Sequence, residues 1–308
     1  MVDIDTFLTI LYVKVDEFCK AHPPAAVRPG PATALTRSEV VTLMIFAQWA
    51  QFRSERDFYR YARRHLRPLF PNLGRRSQFN RALRQAHEDV AVFALELAHQ
   101  VEPDTAAYEA LDSLGAPVRH AKRRGGGWLD GLSGLGWSNR LGWYQGFHVL
   151  TAVNPTGVIT GFGFGPGNTS DQALTETFLA LRHLDPARLP SVGLTVSGYY
   201  VVDKGFEGER RRRHWARDYG AEVICAPKHH SLRPWPKERR RWLAGLRQIV
   251  ETVHDKLTHI FRMEGERPHE LEGFQARLAA KVALHNFAIW LNRQLGRASL
   301  EFADLVDW

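Results

Sequence analysis

Two short apolar runs each carry an aspartate where the strand should stop, and no other feature of the chain constrains its fold as much. AAYEALDSL leads into Asp112 and YYVVDKGF into Asp203. Both read as β-strands closed by an acid. A carboxylate in apolar company is expected either at the exposed end of its strand or beside a partner. Strand ends are also where sites form in open α/β sheets. Between the two runs lies a hairpin, YQGFHVLTAVN and VITGFGFG around a turn at Pro155–Gly157. A helix follows from Asp171 to about His183. After Asp203 come a helix from Glu207 to Tyr219, the strand AEVICAP, and helices over about Lys237–Arg262 and Glu270–Leu295. This order predicts an α/β fold, a mixed sheet with helices on its faces. The Gly-rich stretch 125–142 reads as a mobile loop.

The first hundred residues have a different texture. Thr36 and Glu39 form a capping box ahead of the apolar run VVTLMIFAQWAQF. Gly74 breaks the next helix and Ser77 is placed to cap a third, SQFNRALRQAHEDV, with Asn80, Arg81 and Arg84 outward. That pattern fits a helix-turn-helix reader of DNA, and equally any helical bundle. A last helix over about Asp89–Gln100 leads to a boundary near Val101-Glu-Pro-Asp. The expected division is therefore 1–104, helical, and 105–308, α/β.

Charge separates the two parts further. The net charge is +8, and ten arginines fall between Arg53 and Arg84 against the acids Glu55 and Asp57. Other basic clusters are Lys122–Arg124, Arg210–Arg213, and Lys237 with Arg239–Arg241. They suit a polyanion, because each phosphate contact releases counterions. They suit a solvated surface as well. The N-terminus lacks the basic start of a signal peptide, and no apolar stretch is long enough to span a membrane. Cys19 and Cys225 have neither disulfide nor zinc spacing and read as small buried hydrophobes of a protein in reducing cytoplasm.

A third acid, Glu251, lies in LRQIVETVHDKL with Arg247 one turn earlier. A helix packed on the sheet would bring it to the two aspartates. Three such carboxylates are stable together only around a cation, and Mg²⁺ suits oxygen donors that also handle phosphates. Two of the acids have a plainer reading. Asp203 fits a turn before Lys204-Gly205, Glu251 fits an i,i+4 pair with Arg247, and Asp255 lies one turn on as an alternative to Glu251.

At these residues the sequence resembles the DDE transposases with an RNase H-like core, and most of all the insertion-sequence 982 family within the insertion-sequence 4-like group. LDSLGAPV, GWYQGFHVLTAVNPTGVITGFGFGPGNTSDQAL with its PGN-x-x-D signature (Pro166, Gly167, Asn168, Asp171), VVDKGFEG and RQIVETVHDKL occur in the family's order. TRSEVVTL and SERDFYR resemble its N-terminal segment. The resemblance implies an RNase H-like catalytic domain behind a helical DNA-binding and dimerisation region. It implies catalysis by Asp112, Asp203 and Glu251 holding two Mg²⁺ ions, with Mn²⁺ able to substitute. It implies DNA contacts by Arg247, Lys204 and Lys256. The family's later Lys position is Thr258 here, and His148 stands where a Lys is common in the hairpin. Trp235, between prolines and basic residues, is a candidate for base stacking, and His229 and His230 are further candidate contacts. Arg75, Arg76, Arg81 and Arg84 would face DNA from the N-terminal region. The implied partners are double-stranded DNA, both terminal inverted repeats and target, and a second copy of the chain in a synaptic dimer. The implied place is the nucleoid. A structure-specific nuclease and a DNA-binding protein that no longer cuts are the rival readings.

Overall fold

A computed structural model describes residues 1–24, 34–102, 106–120, 129, 131–193, 197–206, 208–228, 231 and 234–308. They gather into two compact units. One holds Met1–Leu97, Ile260–Arg262 and Glu270–Trp308, the other Ala98–His259 and Met263–His269.

The first unit is helical, with α1 (Ile4–Ala21), α2 (Arg37–Phe46), α3 (Glu55–His65), α4 (Arg76–Gln85) and most of α5 (His87–Val101). The capping box forms: Thr36 Oγ1 accepts the Glu39 N–H at 3.2 Å, and Glu39 in turn accepts the Thr36 N–H at 2.6 Å. The later boundaries differ from expectation. Helix α3 stops at His65 rather than Gly74, because Pro68 and Pro71 cannot continue a helix. Leu66, Phe70 and Leu73 bury the connection that follows. That connection is longer than the tight turn of a helix-turn-helix reader. Gln78 Oε1 takes the Arg75 N–H at 3.1 Å, so α4 starts at Arg76 and Ser77 is not its cap. The expected single helix breaks at Ala86 into α4 and α5.

A late helix, Leu271–Gln294, packs with α2 and α4. Residues on every side of it are buried, so it lies inside, with Phe274, Leu278, Val282, Leu284 and Phe287 among them. Phe7 meets Phe287 edge-on. Lys281 is buried here too, and donates to Gln48 Oε1 at 3.0 Å and to the Phe261 carbonyl at 2.5 Å, the partners that a buried ammonium requires.

The second unit is a six-stranded mixed sheet. Counting the short N-terminal strand Val2–Asp3 as β1, its strands are β2 (Glu109–His120), β3 (Gly134–Ser138), β4 (Gly142–Val153), β5 (Ile159–Pro166), β6 (Tyr199–Val202) and β7 (Glu222–Cys225). The order is β3-β4-β2-β6-β7, with β2, β6 and β7 parallel and β4 antiparallel to β2. The far edge of β4 is shared by β3 and β5. Helices α6 (Asp171–Leu184) and α7 (Glu209–Tyr219) follow β5 and β6, and α8 (Lys237–Asp255) follows β7. Strand β3 lies in the stretch expected to be a mobile loop. Its glycines serve close approach rather than mobility: a Cβ on Gly136 would come within 2.5 Å of the Tyr144 ring and 2.6 Å of the Gly167 carbonyl.

Strand β2 also runs on to His120, so Asp112 stands inside it and not at its end. Side chains alternate along a strand, which gives β2 two faces. Leu111 packs with Leu174, Phe178 and Leu179 of α6, in one cluster with Tyr200, Trp215 and Cys225. Glu109, on the same face, is fully buried and held by Arg182 of α6 through Nη1 at 2.8 Å and Nη2 at 2.9 Å, with the Thr160 hydroxyl as a further donor. Asp112 has the other parity and looks toward α8. Cys225 is buried and Cys19 half-buried, and neither forms a disulfide.

Candidate active site

The parallel register makes Asp112 and Asp203 neighbours. Glu109 pairs with Tyr200 and Ala110 with Val201, and two residues beyond Ala110 and Val201 stand Asp112 and Asp203. Adjacent strands run about 4.8 Å apart, so both acids leave the sheet side by side where β6 ends. Asp203 opens a turn over Lys204–Phe206, and its Oδ1 accepts the Gly205 N–H. The turn reading of Asp203 and its place beside Asp112 are thus compatible. Gln172 at the start of α6 donates to the Gly205 carbonyl at 2.9 Å and holds that turn.

Asp112 is partly buried and poorly satisfied. Its Oδ1 accepts the N–H of Ser113 at 2.9 Å, and its Oδ2 lies 3.4 Å from Arg247 Nη2. Burial pushes its carboxyl up to about 6; Arg247 and the Ser113 N–H work against this, while Asp203 and Asp171 add to it. Positive charge arriving beside it would favour its ionised form further.

Helix α8 brings that face its other groups. Arg247 Nη2 lies 3.9 Å from Glu251 Oε1 as well, so the guanidinium spans the distance between Glu251 and Asp112. Its Nε is buried with no hydrogen-bond partner among the described residues. Asp255 pairs instead with His259 at 3.4 Å, both well exposed. The helix is pinned by His254, whose Nε2 lies 2.9 Å from Thr151 Oγ1 of β4, and by the Tyr108 hydroxyl, which donates to the Leu246 carbonyl at 3.3 Å. Burial, together with Arg140 and Arg247, pushes the His254 ring down to about 3, so it is neutral.

The remaining candidates are spread more widely. Lys204 is exposed and Lys256 half-buried at the end of α8, where the helix widens into a π-turn over Lys256–Ile260. Trp235 is half-buried with the Arg239 guanidinium 3.9 Å over its ring, so one ring face is already covered. Arg75, Arg76 and Arg81 are exposed on the first unit, while Arg84 pairs with Glu270 at 2.9 Å. His148 is occupied inside the protein: its Nδ1 donates to the Thr169 carbonyl at 2.9 Å and its Nε2 lies 2.9 Å from Ser113 Oγ. His229, His230 and Lys122–Arg124 lie outside the described residues. The sequence reading missed Ser113 and His254, which carry no local signal, and treated Asp171 only as a helix start within a signature.

Among the described residues no three His, Cys, Asp or Glu side chains are gathered tightly enough to hold one metal ion; Asp112 and Glu251 are both turned to Arg247. The donor set still fits a hard divalent cation. It offers carboxylate oxygens from two adjacent strands and a facing helix, one of them partly buried with incomplete charge compensation.

The family model described as the transposase DDE domain matches residues 110–287, more than half of the chain. The chain belongs to this family. A DDE transposase cleaves DNA and transfers its strands, so DNA is the substrate, and enzymes of this family use divalent metal ions. The match begins two residues before Asp112 and runs past Asp203 and Glu251. Comparison with curated proteins gives no match. No helix among the described residues is long and apolar enough to cross a membrane.

Proposed function

We propose that this transposase belongs to a bacterial insertion sequence of the 982 family, within the insertion-sequence 4-like group. In this reading the α/β unit is RNase H-like, and Asp112, Asp203 and Glu251 are the carboxylates that hold two Mg²⁺ ions, with Mn²⁺ able to substitute. Residues 1–104 bind the terminal inverted repeats and support a synaptic homodimer that works at the nucleoid. The observation that supports the site most directly is Asp112: a partly buried acid beside a second acid, with one long contact to a cation.

Bound divalent ions supply acidity to the attacking hydroxyl and charge to stabilise the leaving oxygen. Asp112 and Asp203 would hold them from the sheet and Glu251 from α8. Arg247, whose Nε has no partner among the described residues, is placed to take a phosphate oxygen in exchange for its carboxylate contacts. Neutral His254 keeps α8 in register on Thr151 without adding positive charge. Water attacks in the first step and the freed 3′-OH in the second. Lys204, Lys256, Trp235, Arg75, Arg76 and Arg81 supply backbone and base contacts, and Arg84 joins them by leaving Glu270.

The test is Mg²⁺-dependent nicking of labelled DNA carrying the element's terminal repeat, by wild type and by Asp203→Asn. Nicking at the repeat boundary that leaves a 3′-OH, together with a variant that binds and does not cut, supports the reading. Binding without cutting by both proteins leaves only a DNA-binding role. Equal cutting by both means that the acids are misassigned.

A further inference from the structure

The PGN-x-x-D segment ends on a side chain that none of the roles above uses. Gly167 of this segment donates its N–H to the Gly146 carbonyl of β4 at 2.9 Å, and Thr169 donates back to the Pro166 carbonyl at 2.8 Å. The turn lies so close to the sheet that a Cβ on Gly167 would fall 2.7 Å from the Gly134 carbonyl and 3.0 Å from that of Gly146. This tight seat fixes where α6 begins and sets Asp171 over β2. There the Ser113 hydroxyl donates to Asp171 Oδ1. His148 closes the group, with Nε2 2.9 Å from Ser113 Oγ and 3.4 Å from Asp171 Oδ1, while its Nδ1 donates to the Thr169 carbonyl.

Ser113 is the residue after Asp112, and its side chain points to the opposite face of β2. Its own N–H holds Asp112 Oδ1 at 2.9 Å. One residue is therefore fastened by its hydroxyl on the α6 face and holds the acid by its backbone on the α8 face. We propose that Asp171 and His148 are positioning residues for the reaction: by clamping the Ser113 hydroxyl they fix the peptide whose N–H aims the Asp112 carboxylate at Asp203 and α8. This rests on the reading of Asp112 as a metal-holding carboxylate. It gives the signature's aspartate a task that needs no contact with DNA. Outer groups that orient a ligand are worth about 10–100-fold in metal affinity.

The experiment is a Mn²⁺ titration of the full chain, followed by the electron paramagnetic resonance of the free ion, well below each variant's melting temperature. Asp171→Asn and Ser113→Ala are expected to weaken Mn²⁺ binding about 10–100-fold. Ser113→Thr, which keeps the hydroxyl, is expected to stay near wild type, and Asp112→Asn to lose the site. If Asp112→Asn loses Mn²⁺ while Asp171→Asn and Ser113→Ala bind it as wild type does, the clamp is overturned and the metal-site reading stands. A lower melting temperature with unchanged Mn²⁺ affinity overturns the clamp in the same way, since the group would then be structural only. If Asp112→Asn itself binds Mn²⁺ normally, the underlying reading of Asp112 fails instead. Should Ser113→Ala not fold, His148→Gln takes its place with the same expected loss.

Discussion

Glu109 and Asp112 stand three residues apart on one strand and have opposite surroundings. Glu109 is fully buried and complete, with both oxygens on the Arg182 guanidinium and the Thr160 hydroxyl as a further donor. Asp112 is only partly buried, its side chain 23% exposed, and it has one N–H from its neighbour and one arginine contact at 3.4 Å. The first acid is matched by its own fold. The second is left short of positive charge on the face where Asp203 and Glu251 stand. A buried acid that the fold satisfies belongs to the structure. A partly buried acid that the fold leaves wanting is open to a cation that arrives with the substrate.

The largest effect should fall on the acids that share the face of Asp112. Asp203→Asn and Glu251→Gln are expected to reduce Mg²⁺-dependent DNA cleavage by on the order of a thousandfold or more, since metal stabilisation of the leaving oxygen is worth several kcal/mol. Gel-based nicking with unchanged DNA binding is the measurement, and a loss below about tenfold would place the metal elsewhere. Next in size, Arg182→Met should destabilise the fold by about 3–5 kcal/mol, because it strands the Glu109 charge in the interior. Chemical denaturation reads this. A small effect would mean that Glu109 is as tolerant of poor pairing as Asp112. Smaller again, Thr151→Val should cost about 1 kcal/mol by removing the partner of His254. Because that bond seats α8, cleavage should fall by more than stability explains.

Part of the site is legible in the sequence; its contrast with Glu109, which depends on Arg182 far along the chain, is not. Asp112 and Asp203 stand out because each closes an apolar run, while Glu251 reads equally as the partner of Arg247 and is singled out by the family resemblance. The hairpin before Asp171 is visible because Pro155 and Gly157 punctuate two alternating runs. Strand β3 is hidden because its glycines, read locally, signal a loop; only the neighbouring Tyr144 ring shows why they are there. The length of β2 is hidden because nothing in LDSLGAPVRH marks Asp112 as interior. The break at Ala86 has no proline or glycine to announce it. The packing of Leu271–Gln294 with α2 and α4, and the Ser113–His148–Asp171 group, join residues far apart in sequence, which periodicity cannot report.

The difference between the two acids is tested most directly by thermal unfolding of wild type and Asp112→Asn as a function of pH, with and without Mg²⁺. A carboxyl raised from 3.8 to about 6 in the folded chain favours folding while protonated, and that contribution is lost as pH rises through about 6. Without metal, Asp112→Asn should therefore gain on wild type between pH 4 and 7, by on the order of 2–3 kcal/mol. Mg²⁺ should then raise the stability of wild type and leave the variant unmoved. A variant less stable than wild type across the whole range, with no response to Mg²⁺ in either protein, would show that Asp112 is a structural acid like Glu109 and would contradict this account of the site.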